Sequence, residues 1–450
     1  MASTVFDSSL FRDMFGSAAM RDVFSDEGYL QRCLDTEAAL ARAQASIGMI
    51  PAEAAREITV KAQLACLDMA RLKSDCENVG YPIVGLATQL ANACEGESGG
   101  YVHWGATTQD IMDTAVVLQV RGALELVEAD LVACIGLLGE LASKHRDVPM
   151  AGRTHLQHAL PITFGYKVAI WRDPLVRHLE RLRQMRPRVL VGQLGGAAGT
   201  LASLGNDGLR VRAAMMKELE LGEADITWHV SRDGLAEAVM LMGLITGSLA
   251  KVGSDMMMMM ATEFGEAFEP FQHGRGSSST MPQKRNPISS ELIVAAAKLV
   301  RQQCALMLDA MVQDFERATG PWHAEWIAIP QAFIGTSGAL MNARLMFAGL
   351  TIDAQRMKGN LALTGGLISA EAVMMGLAPT LGRHHAHEVV YNACRDVAAG
   401  KGTLLEVLAL DRRVAAALSR AQIEALLEPV NYLGSATAMV DRALARPCAR

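Results

Sequence analysis

The chain has 450 residues, of which 50% are hydrophobic and 5% aromatic, and its formal net charge is −6. This length predicts two or three domains, and a composition dominated by Ala, Leu, Met and Val favours helices. The acidic balance, without any basic block, argues against nucleic-acid binding. No uninterrupted apolar run of transmembrane length and no signal-peptide pattern occur, so we expect no membrane association.

The cysteines and glycines give no sign of a metal or cofactor. Eight cysteines are scattered without a C-x-x-C pair, a spacing that indicates reduced thiols in a cytoplasmic protein and no zinc site. Residues 195–199 are rich in glycine but lack the G-x-G-x-x-G spacing of dinucleotide-binding turns. We therefore expect neither a cofactor nor a metal ion.

Apolar residues recur at helical spacing in several long segments, several of them apolar on more than one face. Such helices belong inside a bundle, which subunits can share. The last ninety or so residues break into shorter helices at glycine and proline turns. The predicted helical segments are 29–47, 110–145, 163–186, 233–262, 289–315 and 330–346.

Four polar segments lie at the ends of these helices: residues 103–110, 152–158, 274–287 and 316–326. The third holds hydroxyls, cations and turn-forming residues, which suit the binding of an anionic substrate. Composition alone fits a solvated interhelical loop equally well, and helix capping explains much of the first segment. His155 has the i, i+3 spacing of a metal ligand with His158, but no acidic partner lies nearby.

Residues 278–287, with the sequence SSTMPQKRNP, resemble the signature of the fumarase/aspartase superfamily. That family includes argininosuccinate lyase, adenylosuccinate lyase and 3-carboxy-cis,cis-muconate cycloisomerase. Residues 103–113 and 152–158 resemble its first two conserved regions and occur in the same order. The resemblance covers essentially the whole chain. One departure is Ser277, which stands where the family usually has glycine.

The resemblance implies an all-α fold of three helical domains around a central bundle of five long helices. The expected domains are residues 1–105, 106–358 with the signature loop, and 359–450. It also implies a homotetramer with a shared core of about twenty helices, in which each active site draws on three subunits. The expected partner is a small polycarboxylate substrate, and neither nucleic acid nor a membrane is expected.

The family's chemistry removes a proton next to a carboxylate, forms an aci-carboxylate carbanion and expels a group from the β-carbon. By resemblance Ser278 is the base and His155 the general acid, while Lys284 and Asn286 stabilise the charge on the carboxylate. Serine is a very weak base in water, so it needs nearby cations and N–H groups. The side chains predicted to bind substrate are His103, Thr107, Thr108, Gln157, Arg232, Ser279, Met281, Arg317 and His323.

Two activities compete within this family. The amino-terminal helix and residues 322–326 resemble bacterial 3-carboxy-cis,cis-muconate cycloisomerase, which adds a carboxylate across a double bond. Those cycloisomerases carry a bulky apolar residue in place of His155, and a departing amine needs an acid. We therefore favour a C–N lyase that releases fumarate from an N-succinyl or amino-dicarboxylate compound, with the cycloisomerase as the alternative.

Other members of the family fit less well. Against adenylosuccinate lyase itself, Leu292 stands where that enzyme has an arginine, and His323 and Trp326 replace a serine and an arginine. Tyr81 occupies a position where many relatives have histidine. An inactive structural relative of the lens-crystallin kind is a lower alternative, because the predicted site residues are all present.

Overall fold

The computed structural model describes residues 4–270, 274–317 and 319–446. It is 69% helical, and the described residues form two short strand pairs. The prediction of an all-α fold is therefore confirmed. The boundaries predicted near residues 105 and 358 stay a prediction.

The helices follow the apolar periodicity of the sequence closely. In chain order they are α1 (Arg12–Phe15), α2 (Ala18–Val23), α3 (Asp26–Ser46), α4 (Ala52–Lys61), α5 (Met69–Val79), α6 (Ile83–Ala93), α7 (Thr108–Lys144), α8 (Phe164–Val189), α9 (Gly208–Glu218), α10 (Asp233–Met260), α11 (Ile288–Ala310), α12 (Pro321–Ala348), α13 (Ala354–Ala362), α14 (Ala370–Leu381), α15 (Arg383–Ala398), α16 (Leu404–Leu410), α17 (Arg412–Ala417), α18 (Arg420–Leu427) and α19 (Ala436–Ala445). The strands are β1 (Pro149–Thr154), β2 (Gln157–Thr163), β3 (Ala267–Phe268) and β4 (Thr351–Ile352).

Two polar segments differ from the sequence prediction. Residues 152–158, predicted as a polar segment ahead of a long helix, belong to the antiparallel hairpin β1–β2. The hairpin is irregular at Gly152, where a Cβ atom would meet the Leu160 carbonyl oxygen at 2.7 Å. Residues 321–326 form the first turns of α12, because Pro321 occupies a position at which a helix loses no hydrogen bond.

The chain divides into two compact units. The first unit comprises residues 1–131, 178–249 and 292–341, and the second comprises residues 132–177, 250–291 and 342–450. In the first unit, α3 to α6 pack around a core with the beginning of α7. Buried residues of that core include Leu34, Ile58, Leu86, Leu90 and Ile111.

The second unit contains both strand pairs and the carboxy-terminal helices. Helices α14 to α18 enclose an aliphatic core of their own. Strands β3 and β4 pair antiparallel, with Ala267 opposite Ile352. Buried residues of the core include Val373, Leu377, Leu404, Leu408 and Val414.

Helix α10 is long and apolar enough to cross a membrane by length and composition alone. However, 56% of its most apolar window is buried inside the protein. The core helix of a soluble protein has the same properties, so α10 is weak evidence for a membrane span.

Candidate active site

The predicted site residues are divided between the two units. His103, Thr107, Thr108, Arg232, Arg317 and His323 belong to the first unit. His155, Gln157, Ser278, Ser279, Met281, Lys284 and Asn286 belong to the second.

The signature loop of the second unit is closed by backbone pairing. Ser277 and Arg285 form an antiparallel bridge. The Asn286 N–H donates to the Gly276 carbonyl oxygen at 3.0 Å, so the two ends of the loop lie side by side. Within the loop, Ser279, Met281 and Lys284 are exposed, whereas Asn286 is half-buried.

Ser278 lies in a local environment that favours a negative charge on its oxygen. Its Oγ accepts the N–H of Thr280 at 3.2 Å and that of Met281 at 3.1 Å. Two N–H dipoles directed at one oxygen stabilise an alkoxide more than they stabilise the neutral hydroxyl. The loop thus supplies part of what a serine base requires.

Buried polar groups fix the start of α11, which follows this loop. The Glu269 carboxylate accepts the N–H groups of Ser289 and Ser290 at 2.9 and 2.8 Å, and the Ser290 hydroxyl at 2.6 Å. A carboxylate at a helix N-terminus satisfies free N–H groups and complements the helix dipole. Arg275 Nη2 donates to the Ser289 hydroxyl at 2.7 Å, which ties the loop to the capped helix.

Gly276→Ala is expected to lower kcat by about tenfold to a hundredfold, because displacing a site by about 1 Å has effects of this size. Gly276 has φ of 68°, and a Cβ atom there would lie 2.6 Å from the Asn286 carbonyl oxygen. Gly274→Ala is the matched control, since its φ is 84° but no atom of the described residues outside its chain neighbours lies within 4 Å of its Cβ position. Steady-state kinetics of both variants test this, and equal activities would contradict it.

His155 lies at the tip of the β1–β2 hairpin. His155 and Leu156 form the two-residue turn, with φ of 52° and 63°. Positive φ at both positions is typical of a type I′ turn, which normally prefers Asn or Gly. His155 and Gln157 are exposed in the single chain, and Leu156 is 70% exposed. The hairpin therefore presents the predicted acid at a projecting tip.

An ion pair fixes the hairpin within the second unit. Arg153 donates to both carboxylate oxygens of Glu266, at 2.9 and 2.7 Å. Glu266 also accepts the Asn360 side-chain amide at 2.8 Å. Burial and the Arg153 charge lower the pKa of His158, which favours a neutral ring. Among the described residues no group of three or more His, Cys, Asp or Glu side chains is arranged to hold a metal ion.

In the first unit, Asp110 joins the beginning of α7 to the glycine-rich turn. Its buried carboxylate accepts the N–H groups of Thr107, Gly195 and Gly196 at 3.0, 2.8 and 2.9 Å. It also pairs with His229 Nε2 at 2.7 Å. Asp110 therefore does more than cap the beginning of α7, because it also holds the glycine-rich turn at residues 195–199 in place.

Thr107 and Arg317 come together at the same point. Arg317 Nη1 donates to the Thr107 hydroxyl at 2.8 Å, and Nη2 donates to the Ala197 carbonyl oxygen at 3.0 Å. Thr108 is the first residue of α7 and is half-buried. The first and fourth polar segments and the glycine-rich turn therefore meet within the first unit.

His103 is paired with an acidic residue that sequence reasoning missed. His103 Nδ1 lies 2.6 Å from the Glu37 carboxylate, whose side chain is 1% exposed. Burial lowers the pKa of His103, but the charge and hydrogen bond of Glu37 raise it, and the net pKa lies above the usual value. The structure thus favours a cationic His103, which suits a carboxylate ligand.

Glu37→Gln is expected to destabilise the protein by about 1.5 to 3 kcal/mol at low pH, the contribution of a hydrogen bond to a charged group. A raised His103 pKa stabilises the fold below the unfolded pKa of about 6.5, and this contribution disappears as pH rises through the folded pKa. The difference in unfolding free energy between wild type and variant should therefore shrink from about pH 5.5 to pH 8.5.

Urea unfolding across this range measures the effect. Glu27→Gln is the control, since Glu27 is an exposed glutamate at the beginning of the same helix. A pH-independent difference for Glu37→Gln would rule out the proposed charge on His103.

Arg232, which is predicted to bind substrate, is 2% exposed. Its guanidinium donates to both oxygens of Asp113 at 2.8 and 2.9 Å, and to both oxygens of Glu325 at 2.8 and 2.5 Å. The Trp228 ring lies 5.0 Å from the guanidinium carbon. These contacts make Arg232 part of a buried ion-pair network, and its contact with substrate stays a prediction.

His323 is exposed on the first turns of α12 within an aromatic cluster. Its ring centroid lies 4.5 Å from that of Trp326 and 5.8 Å from that of Tyr81. Tyr81 also packs against Trp322 at 5.6 Å. The tyrosine that replaces the family's histidine therefore lies in the same cluster as His323.

Family models match most of the chain. The model described as Lyase matches residues 16–301, and the model described as Adenylosuccinate lyase C-terminus matches residues 366–443. Both matches agree with the resemblance read from the polar segments.

Curated relatives match the chain over nearly its full length. The 3-carboxy-cis,cis-muconate cycloisomerase of Pseudomonas aeruginosa is 46% identical over 98% of this chain and 97% of that protein. Trans-aconitate decarboxylase 1 of Mycosarcoma maydis is 46% identical over 97% of this chain and 88% of that protein. The N-acetyl-S-(2-succino)cysteine lyase of Dickeya dadantii is 38% identical over 99% of this chain and 98% of that protein.

Solved structures agree with these relatives. A fumarate lyase from Mesorhizobium sp. BNC1 has a TM-score of 0.91 at 50% identity, covering 96% of this chain and 99% of its own. The 3-carboxy-cis,cis-muconate lactonizing enzyme from Pseudomonas putida has a TM-score of 0.93 at 43% identity, covering 97% and 98%. On the family models, the relatives and the fold together, the chain belongs to the fumarase/aspartase superfamily and is an enzyme of that superfamily of lyases.

Proposed function

We propose that the chain is a C–N lyase that releases fumarate from an N-succinyl or amino-dicarboxylate compound. Ser278 removes the proton next to a carboxylate, and Lys284 and Asn286 stabilise the resulting aci-carboxylate. The C–N bond then breaks, its electrons go to the amine, and His155 protonates that amine as it leaves. The observation that carries the proposal is the pair of N–H groups donated to Ser278 Oγ.

We choose an amine as the leaving group because the chain has a candidate general acid, His155. An amine cannot depart as an anion at neutral pH, so its expulsion needs a general acid. His155, at the tip of the β1–β2 hairpin, is exposed enough to reach a ligand. The relative named for a succinylated cysteine and the match to the adenylosuccinate lyase carboxy-terminus support a succinyl substrate.

We further propose a homotetramer with active sites built from three subunits, acting in the cytoplasm. The exposure of His155 and Gln157 in the single chain supports the shared active site. A general acid works best where water is excluded, and a second subunit would exclude it here. Light scattering on the purified protein measures the assembly. Mixing inactive Ser278→Ala and His155→Asn variants tests sharing of the site, since exchange of subunits would restore part of the activity.

The cycloisomerase is the second candidate. The supporting observation is the 46% identity to a named cycloisomerase over 98% of the chain. Lactone closure is the same chemistry run as addition, so Ser278 would return the proton that it removes in an elimination. His155 would then have no amine to protonate.

One spectrophotometric screen separates the two activities. Aminodisuccinate, argininosuccinate, adenylosuccinate and S-(2-succino)cysteine are followed for fumarate formation, and 3-carboxy-cis,cis-muconate is followed for loss of diene absorbance. Fumarate from an amine adduct supports the C–N lyase. Fumarate from the cysteine adduct alone moves the assignment to C–S cleavage, and diene loss alone moves it to the cycloisomerase.

A further inference from the structure

The first unit contains a cavity of about 470 Å³ between residues of α3, α5, α7 and α12. None of the predicted catalytic or substrate-binding side chains lines it. Its walls are mainly apolar and aromatic, with the rings of Tyr29, Trp322 and Trp326 among them. Its lining therefore shares no side chain with those to which we assign the elimination.

The buried charges at this cavity are unbalanced. Asp113 and Glu325 both line it, and their side chains are 1% and 2% exposed. One guanidinium, that of Arg232, faces both carboxylates, so a single cation serves two acidic groups here. Lys73 at the cavity is already paired with Glu77.

The two carboxylates differ in their remaining capacity to accept hydrogen bonds. Asp113 accepts four donors: two from Arg232 and one each from Gln109 and Trp322. Glu325 Oε1 accepts from Arg232 and Gln313, whereas Oε2 accepts a single bond from Arg232 among the described contacts. A carboxylate oxygen accepts about two hydrogen bonds, so Oε2 has room for another donor.

Two further observations point to a missing partner. Burial and the Asp113 charge raise the pKa of the Glu325 carboxyl, which Arg232 offsets only in part, so a second cation beside Glu325 would favour its ionised form. The Tyr29 hydroxyl is buried and has no hydrogen-bond partner of ordinary geometry among the described residues, although the Cys33 thiol lies beside it. Buried polar groups normally have partners, so a ligand that supplies them is favoured.

We propose that this cavity binds a small organic ammonium ion with an apolar body. The ammonium group donates to Glu325 Oε2 and lies over the aromatic faces of Tyr29, Trp322 and Trp326, which attract cations. The apolar body fills the space beside Met112 and Val116. A carboxylate ligand is repelled by the same charge, so the polycarboxylate substrate does not compete.

Calorimetry with three ligands of one shape tests the charge preference. Phenethylamine is cationic at pH 7, phenethyl alcohol is neutral, and hydrocinnamate is anionic. Phenethylamine is expected to bind saturably and about tenfold more tightly than the alcohol, the factor that a partly desolvated cation–π contact supplies. Hydrocinnamate should show no saturable binding. Equal affinity for all three, or no binding of the amine, overturns the proposal.

A variant locates the binding. Val116→Phe fills the cavity and should abolish phenethylamine binding, whereas Val312→Phe adds the same group at a residue that is 77% exposed and does not line the cavity. Val116→Leu is the milder replacement if the larger ring prevents folding. Undiminished amine binding in a folded Val116 variant would place the ligand elsewhere and refute this site.

Discussion

Replacing Ser278 with Ala is expected to reduce turnover by about a thousandfold or more, the effect of removing a positioned base. The substitution leaves the N–H groups of Thr280 and Met281 without the oxygen that they now share. Because the loop is largely exposed, these groups can bond to water instead. Unfolding free energy should therefore change by less than about 0.5 kcal/mol.

Kinetics on the substrate identified by the screen measure this effect, with circular dichroism to check the fold. Ser277→Ala is the matched control, since this neighbouring serine contributes to the loop through its backbone bridge to Arg285. It should retain activity within about tenfold of wild type. A Ser278→Ala enzyme that still turned over at a comparable rate would remove Ser278 as the base.

Replacing His155 with Asn is expected to slow the release of an amine by about a hundredfold to ten-thousandfold, the usual contribution of a general acid. Release of a thiol should be affected much less, because a thiol with a pKa of about 8.5 departs as a thiolate. Asn is favoured at positive φ in a type I′ turn, so it should maintain the hairpin conformation at this position. The loss would then report on chemistry and not on folding.

The ratio of kcat for an amine adduct to kcat for S-(2-succino)cysteine is the quantity to measure. His384→Asn provides the control, because this histidine is exposed on α15. If His155→Asn lowered both rates equally, the residue would be a binding group. If it left amine release unchanged, the assignment of His155 as the acid would be wrong.

The long helices and the polar segments between them were predictable from the sequence. Apolar spacing placed α7 at residues 110–145, and the structure has it at Thr108–Lys144. Helix periodicity depends on residues three and four apart, so it can be read locally. The signature at residues 278–287 is also local, since it is one continuous stretch, and it therefore indicated the superfamily without knowledge of the fold.

The hairpin at residues 149–163 was missed for a local reason. Neither strand alternates buried and exposed residues, since β1 has three consecutive buried residues and β2 three consecutive half-buried ones, so the usual strand signal is absent. Its turn uses His155 and Leu156 where a glycine or asparagine would have given the usual signal. The helix predicted at 330–346 begins earlier, at Pro321 within the polar segment 316–326, because proline is compatible with the first turn of a helix.

The sequence by itself determined the all-α class, the positions of the long helices and the superfamily chemistry. Only the tertiary structure decided how the charged side chains are paired. Glu37 meets His103 across 66 residues, and Arg232 meets Asp113 across 119 and Glu325 across 93. Such pairings depend on which faces of distant helices pack together. Apolar periodicity shows which face of a helix is buried, but not which other helix packs against that face. For this reason the sequence did not reveal that Arg232 is buried and paired with Asp113 and Glu325.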